Sequence, residues 1–171
     1  VTIEGKDNYI GTRSNIGYIV EPKSVVGLTV AVSGTYTYTG SAIKPTITVT
    51  DGTTDLVADT DYTISSYANN TNAANATDAS APTVTIKGKG NYDNNTTENV
   101  TFTISKADFK DVTIDATDNQ TYTGSAIQPA VSVKFNGISV NTSEYNVGYF
   151  DNTNVGTATV KATAAGTNFT A

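Results

Sequence analysis

Thr37-Tyr38-Thr39-Gly40-Ser41-Ala42-Ile43-Lys44-Pro45 returns as Thr121-Tyr122-Thr123-Gly124-Ser125-Ala126-Ile127-Gln128-Pro129. The two stretches lie 84 residues apart, and Leu28-Thr29-Val30 and Val112-Thr113-Ile114 keep the same spacing. Asp61-Tyr62-Thr63-Ile64 and Glu144-Tyr145-Asn146-Val147 keep it to within one residue. Three matches in one order define an internal repeat, and a period of that length predicts one supersecondary unit stacked on the next.

A partial copy precedes these two. Val1-Thr2-Ile3-Glu4-Gly5-Lys6-Asp7-Asn8-Tyr9 matches Val84-Thr85-Ile86-Lys87-Gly88-Lys89-Gly90-Asn91-Tyr92, and Ile16, Tyr18 and Val20 match Val100, Phe102 and Ile104. The chain therefore divides into residues 1–23, the remnant of a preceding repeat, residues 24–106, a full repeat, and residues 107–171, a second repeat with no match to the closing strand Val100–Ile104. The full repeat carries an insertion at about residues 75–82, expected in a surface loop. These features read as a fragment of a larger mature protein.

Within each repeat, apolar residues alternate with polar ones. Leu28, Val30 and Val32; Ile47 and Val49; Tyr62 and Ile64; Val84 and Ile86; and Val100, Phe102 and Ile104 each form a period-2 run. Alternation of this kind predicts half-buried strands. Val112 and Ile114, then Val131, Val133 and Phe135, then Tyr145 and Val147 repeat the pattern. Asp51-Gly52 and Asn136-Gly137 are hairpin signals at equivalent places. No capped helical stripe interrupts the runs. The expected fold is all-β: tandem small antiparallel β-sandwiches of immunoglobulin-like type, with β-grasp-like units or a small barrel as the alternative.

Composition narrows the function. A net charge of −6 over 171 residues supplies no basic patch for phosphates, so no nucleic-acid partner is expected. No apolar run is long enough to insert in a membrane as a helix. Cys, His, Met and Trp are all absent, which removes disulfides, thiolate and imidazole metal ligands, and a Ser-His triad. The expected protein is non-enzymatic, and a chain without readily oxidised residues suits an extracellular place.

TYTGSAIKPTITV, then DYTIS, an Asn-rich turn, TVTIKGKGNY and VTFTI resemble a repeat of large bacterial cell-surface proteins of Gram-positive type, known as bacterial Ig-like or adhesin-stalk repeats. The resemblance spans nearly the whole chain. It implies a secreted or wall-attached modular protein in which such units serve as structural spacers, with neighbouring repeats of the same chain as partners. It supplies no catalytic residues.

Candidate sites follow from side-chain chemistry. Tyr67, Asn69, Asn70, Tyr149 and Phe150, near the variable loop at residues 68–82, are the candidates for contact with glycans or host surface proteins. Tyr36, Tyr38 and Tyr122 offer an aromatic platform, although their recurrence favours packing at a sandwich corner. Asp55, Asp59 and Asp61, and Asp115, Asp118 and Asn119, are oxygen clusters of the kind that can hold Ca2+. Their type and spacing fit turns better, and no cofactor is expected. Lys44 stands opposite Gln128 in the two copies, so no single intramolecular cross-link chemistry serves both. Asn69, Asn75, Asn99 and Asn141 head Asn-x-Ser/Thr triplets. Finally, Ile16, Tyr18 and Val20 carry the pattern that the second repeat lacks. Donation of that strand to an identical molecule, giving head-to-tail filaments, is the expectation beside the spacer reading.

Overall fold

The computed structural model describes residues 2–15, 17–115 and 117–171. All regular structure among them is β, apart from two single-turn 3-10 helices at Phe109–Asp111 and Thr142–Glu144.

Among its described residues the N-terminal segment holds a hairpin of β1 (Ile3–Glu4) and β2 (Thr12–Arg13), and each of them from Thr2 to Pro22 is exposed. The middle unit holds β3 (Thr29–Ser33), β4 (Tyr36–Thr37), β5 (Thr46–Asp51), β6 (Thr54–Asp55), β7 (Tyr62–Ala68), β8 (Thr83–Gly88), β9 (Thr97–Thr101) and β10 (Ile104–Ser105). The C-terminal unit holds β11 (Ala107–Asp108), β12 (Thr113–Ile114), β13 (Val133–Phe135), β14 (Ile138–Ser139), β15 (Tyr145–Phe150), β16 (Thr159–Ala164) and β17 (Phe169–Thr170).

Three-stranded antiparallel sheets, β3-β5-β6 and β7-β8-β9, turn their apolar sides toward each other in the middle unit. Val49 of β5 packs against Tyr62 of β7 and Ile86 of β8, with Leu28, Val30, Ile47 and Leu56 around them. Alternation along β5 and β8 puts every second residue into this core. The same layout, reduced, follows in β12-β13-β14 and β15-β16. The chain is thus built of small, mainly antiparallel sheets of β-sandwich type.

Three details differ from the sequence reading. Val100, Phe102 and Ile104 do not form one strand: β9 runs antiparallel to β8, while β10 crosses over and pairs parallel with β4. A parallel pair also joins β11 to β17, so the sheets are not wholly antiparallel. Ile64 pairs with buried Ile86 yet keeps 39% of its surface in solvent, and just after it a β-bulge between Ile64 and Ser66 adds one residue and reverses which side faces in. Tyr67, of the opposite parity to Tyr62, is the residue that returns to the core. Ile114 is exposed too. The strand β9 that lies beside β3 has no counterpart beside β12 among the described residues.

The sequence matches correspond to matched hydrogen bonds. The turn at Gly40 (φ 84°) and that at Gly124 (φ 81°) are closed alike, with the Thr39 and Thr123 hydroxyls bonded to Ser41 and Ser125. Both positions need the left-handed conformation that glycine adopts without strain. Asn70 Nδ2 donates to Ile43 O at 2.8 Å, and Asn152 Nδ2 donates to Ile127 O at 2.9 Å. Leu56 N bonds Val49 O, and Val140 N bonds Val133 O, each at 2.9 Å.

Candidate functional site

The residues that the sequence offers for ligand contact are largely engaged in these turns. Tyr67 is half-buried, not exposed: it packs against the cluster of Val84, Phe102 and Ile104, and Lys44 Nζ lies 5.7 Å from the ring centroid, a cation–π contact. Asn70 pins the Ile43 loop by side chain and backbone together. Asn69 takes a left-handed turn conformation (φ 53°), and its amide reaches Ala81 O at 3.5 Å. Tyr149 is half-buried as well, its hydroxyl donating to Pro129 O at 2.6 Å. Phe150 keeps half its surface in solvent and lies over Gly148. Tyr67 with Asn70 and Tyr149 with Phe150 stand on different segments, each tied to its own turn.

The loop at residues 68–82 is not free. Ala74 forms an antiparallel bridge with Ile104, with both backbone bonds at 3.0 Å, and Phe102 N donates to Pro82 O at 2.9 Å. Ala81 and Pro82 are buried. Through Ala74 the loop therefore straps the outer edge of β10, which would otherwise present unpaired backbone groups. The carboxylates act locally. Asp61 accepts from Val57 N, Asp51 pairs with Lys23, Asp108 pairs with Lys110, and Asp115 pairs with Lys134 at 2.8 Å. The partner cations hold Asp51, Asp108 and Asp115 below the usual carboxylate range. Among the described residues no group of three His, Cys, Asp or Glu stands close enough to hold a metal ion.

Two other features stand out. The first is the joint between the middle and C-terminal units. A single residue, Lys106, separates β10 from β11. Tyr38, from the repeated motif, is half-buried between the two units and packs on both cores. It stacks on Phe135 (5.9 Å, 8° between planes) and meets Phe169 edge-on (5.3 Å). Phe109 and Phe135 each meet Phe169 edge-on as well, completing an aromatic cluster. Burial, and to a lesser extent the Glu144 carboxylate, push the Tyr38 hydroxyl above its ordinary pKa. Beside the rings, buried Asn168 ties the units together. Its Oδ1 accepts from Ala73 N at 2.8 Å, and its Nδ2 donates to Asn72 Oδ1 and to Glu144 Oε1. Asn168 N donates to Glu144 Oε2 at 2.9 Å. Asn136 Nδ2 reaches Thr39 O across the same seam.

The second feature is a cleft of about 500 Å³ in the C-terminal unit, lined by Asp118, Gln120, Tyr122, Ile127, Tyr149 and Val160 among others. Its position matches that of Phe102 and Ile104 in the middle unit, where these residues fill the space between Val32, Tyr36, Tyr38, Ile43 and Tyr67. Residues 117–123 carry no strand pairing, whereas β4 pairs with β10 and Tyr38 N donates to Ser105 O at 2.8 Å.

Of the candidates for strand donation, Tyr18 and Val20 are 76% and 81% exposed and lie in no strand. Ile16 lies outside the described residues. Sequence reasoning passes over Asn168, Phe169 and Glu144. The available signal is the recurrence of Asn91-Tyr92 as Asn168-Phe169. Both pairs dock on the start of their unit in the same way, Lys23 N donating to Asn91 O at 2.9 Å and Ala107 N to Asn168 O at 3.0 Å.

No family model, curated protein or solved structure matches this chain.

Proposed function

We propose that this chain is a non-enzymatic run of tandem Ig-like β-sandwich repeats, with residues 24–106 and 107–171 as successive units, serving as a spacer or stalk of an extracellular bacterial surface protein. The observation that carries the reading is the joint. A one-residue connection, an aromatic packed on both cores, and an amide bonded to both units make a stiff end-to-end junction. A spacer needs stiffness between units more than any pocket, and stability in such arrays is shared between each unit and its neighbours. Asn70 and Asn152 are spent on turns rather than left for a ligand, and a net negative charge suits a soluble spacer.

The test is binding of the full 171-residue chain to arrayed glycans, mucins and matrix proteins. The expected result is no saturable binding at high micromolar concentration. Saturable, competable binding to any one of these would replace the spacer reading with that of an adhesive module.

A further inference from the structure

Asn136-Gly137, at the tip of the β13–β14 hairpin, is the one place in the sequence where glycine follows asparagine. Both residues are exposed, and both take the left-handed conformation, at φ 50° and 78°. The same tip belongs to the seam between the units. Asn136 Nδ2 donates to Thr39 O at 3.3 Å, and Phe135 stacks on Tyr38 at 5.9 Å. Ile138 lies against Gly40, its Cδ1 within 3.3 Å of where a Cβ would stand.

We propose that Asn136 is a site of spontaneous deamidation, and that its modification loosens the seam between the two units. The nucleophile is the Gly137 backbone nitrogen, which loses its proton to hydroxide and attacks Asn136 Cγ. A C–N bond forms and closes a succinimide ring, while Asn136 Nδ2 takes a proton from solvent and leaves as ammonia. Solvent water then opens the ring. Water adding at the side-chain carbonyl restores the original main chain, now with aspartate. Water adding at the backbone carbonyl leaves the main chain running through Cγ, as isoaspartate. No electrons change hands, and the only co-reactant is water. The inference goes beyond the spacer reading and does not depend on it.

Glycine makes the step accessible. It has no side chain to crowd the approach, and nothing lies within 4 Å of the place a Gly137 Cβ would occupy. Its nitrogen donates to no backbone carbonyl among the described residues. Closure requires Asn136 to rotate out of its turn conformation, and an exposed two-residue tip does so without disturbing a core. The asparagines that hold other turns and the joint differ. Asn70 and Asn152 precede threonine and Asn168 precedes phenylalanine, and their amides donate at 2.8 to 3.2 Å. At Asp51-Gly52 the carboxylate is kept ionised by Lys23 and repels the same attack. Either product acts on the seam. Aspartate at position 136 sets a carboxylate against Thr39 O, acceptor facing acceptor. Isoaspartate adds a methylene to the main chain, and in a tight hairpin loop length fixes the register, here the pairing of Phe135 with Ile138.

The experiment is ageing of the full chain in warm, mildly alkaline buffer, followed by peptide mapping with enzymatic detection of isoaspartate. Asn136 should lose its amide before any other asparagine, with isoaspartate the larger product. The aged fraction, separated by its added negative charge, should melt about 3 °C below the fresh chain in calorimetry. Asn136→Gly keeps a residue suited to positive φ and has no amide to lose, so its Tm should hold through the same ageing. In Tyr38→Ala the seam is already weakened, and ageing should lower its Tm by less than it lowers the parent's. An Asn136 amide that survives as long as those of the other asparagines overturns the proposal. So does an aged fraction that melts with the fresh chain. An equal fall in Tyr38→Ala overturns the link to the seam.

Discussion

Tyr38 and Tyr122 sit in the same nine-residue motif, on the same glycine turn, and end in opposite surroundings. Tyr38 lies in an aromatic cluster with Phe135 and Phe169, while Tyr122 stands mostly in solvent beside an open cleft. Local sequence sets the turn, through the threonine hydroxyl and the left-handed glycine. What the tyrosine ring touches is decided by residues distant in sequence: the core clusters containing Phe102 and Ile104 and containing Phe135 and Phe169 meet at Tyr38. Residues 24–106 thus draw part of their stabilising contacts from residues 107–171.

That contrast can be broken by substitution. Tyr38→Ala should cost about 2 kcal/mol, somewhat less than the loss of a fully buried aromatic, whereas Tyr122→Ala should stay within about 0.5 kcal/mol. Urea unfolding of the two variants measures both. Equal effects would mean that Tyr38 does not couple the two units.

Asn168→Ala should cost about 1–2 kcal/mol, because it leaves Ala73 N–H and a Glu144 carboxylate oxygen without their partner. Calorimetry should show more than the loss of stability: unfolding of the middle and C-terminal units should separate into two transitions. A single transition shifted as a whole would show that the amide stabilises the C-terminal unit alone.

The smallest effect is electrostatic. Asp51, Asp108 and Asp115 are held below the usual carboxylate range by hydrogen bonds to Lys23, Lys110 and Lys134. Groups whose folded pKa is depressed stabilise the fold above their unfolded pKa and lose that contribution as pH falls through the folded value. Thermal midpoints should therefore be level near neutral pH and fall once the pH drops below the ordinary carboxylate range. All three pairs are exposed, so salt should weaken the effect. Asp51→Asn should flatten the acid limb slightly. A midpoint that rises on acidification would contradict the assigned direction.

Much of the architecture was legible in the sequence. Period-2 runs located the main strands, and Asp51-Gly52 marked the turn between β5 and β6. The repeated motif predicted matched turns, which the Asn70 and Asn152 bonds to Ile43 and Ile127 reproduce. The bulge in β7 was not legible, because one extra serine leaves the apolar pattern looking regular while it changes the face that is buried. Nor was the strapping role of residues 68–82, since its bonds to Phe102 and Ile104 link positions distant in sequence. Nor do the positions of Asn168 and Glu144 in the sequence mark them for burial. Asn168 is buried where Ala73 and Asn72 of the middle unit meet it, and Glu144 where Asn168 and Gly166 close over it.

The central claim is that the two units form a stiff joint, and spin-label distance measurement tests it most directly. The chain has no cysteine, so Thr53→Cys and Lys161→Cys, both at exposed positions, place one label on each unit. A stiff joint predicts one narrow distance distribution in the parent that broadens in Tyr38→Ala. A broad distribution in the parent, like that of a flexible linker, would contradict it.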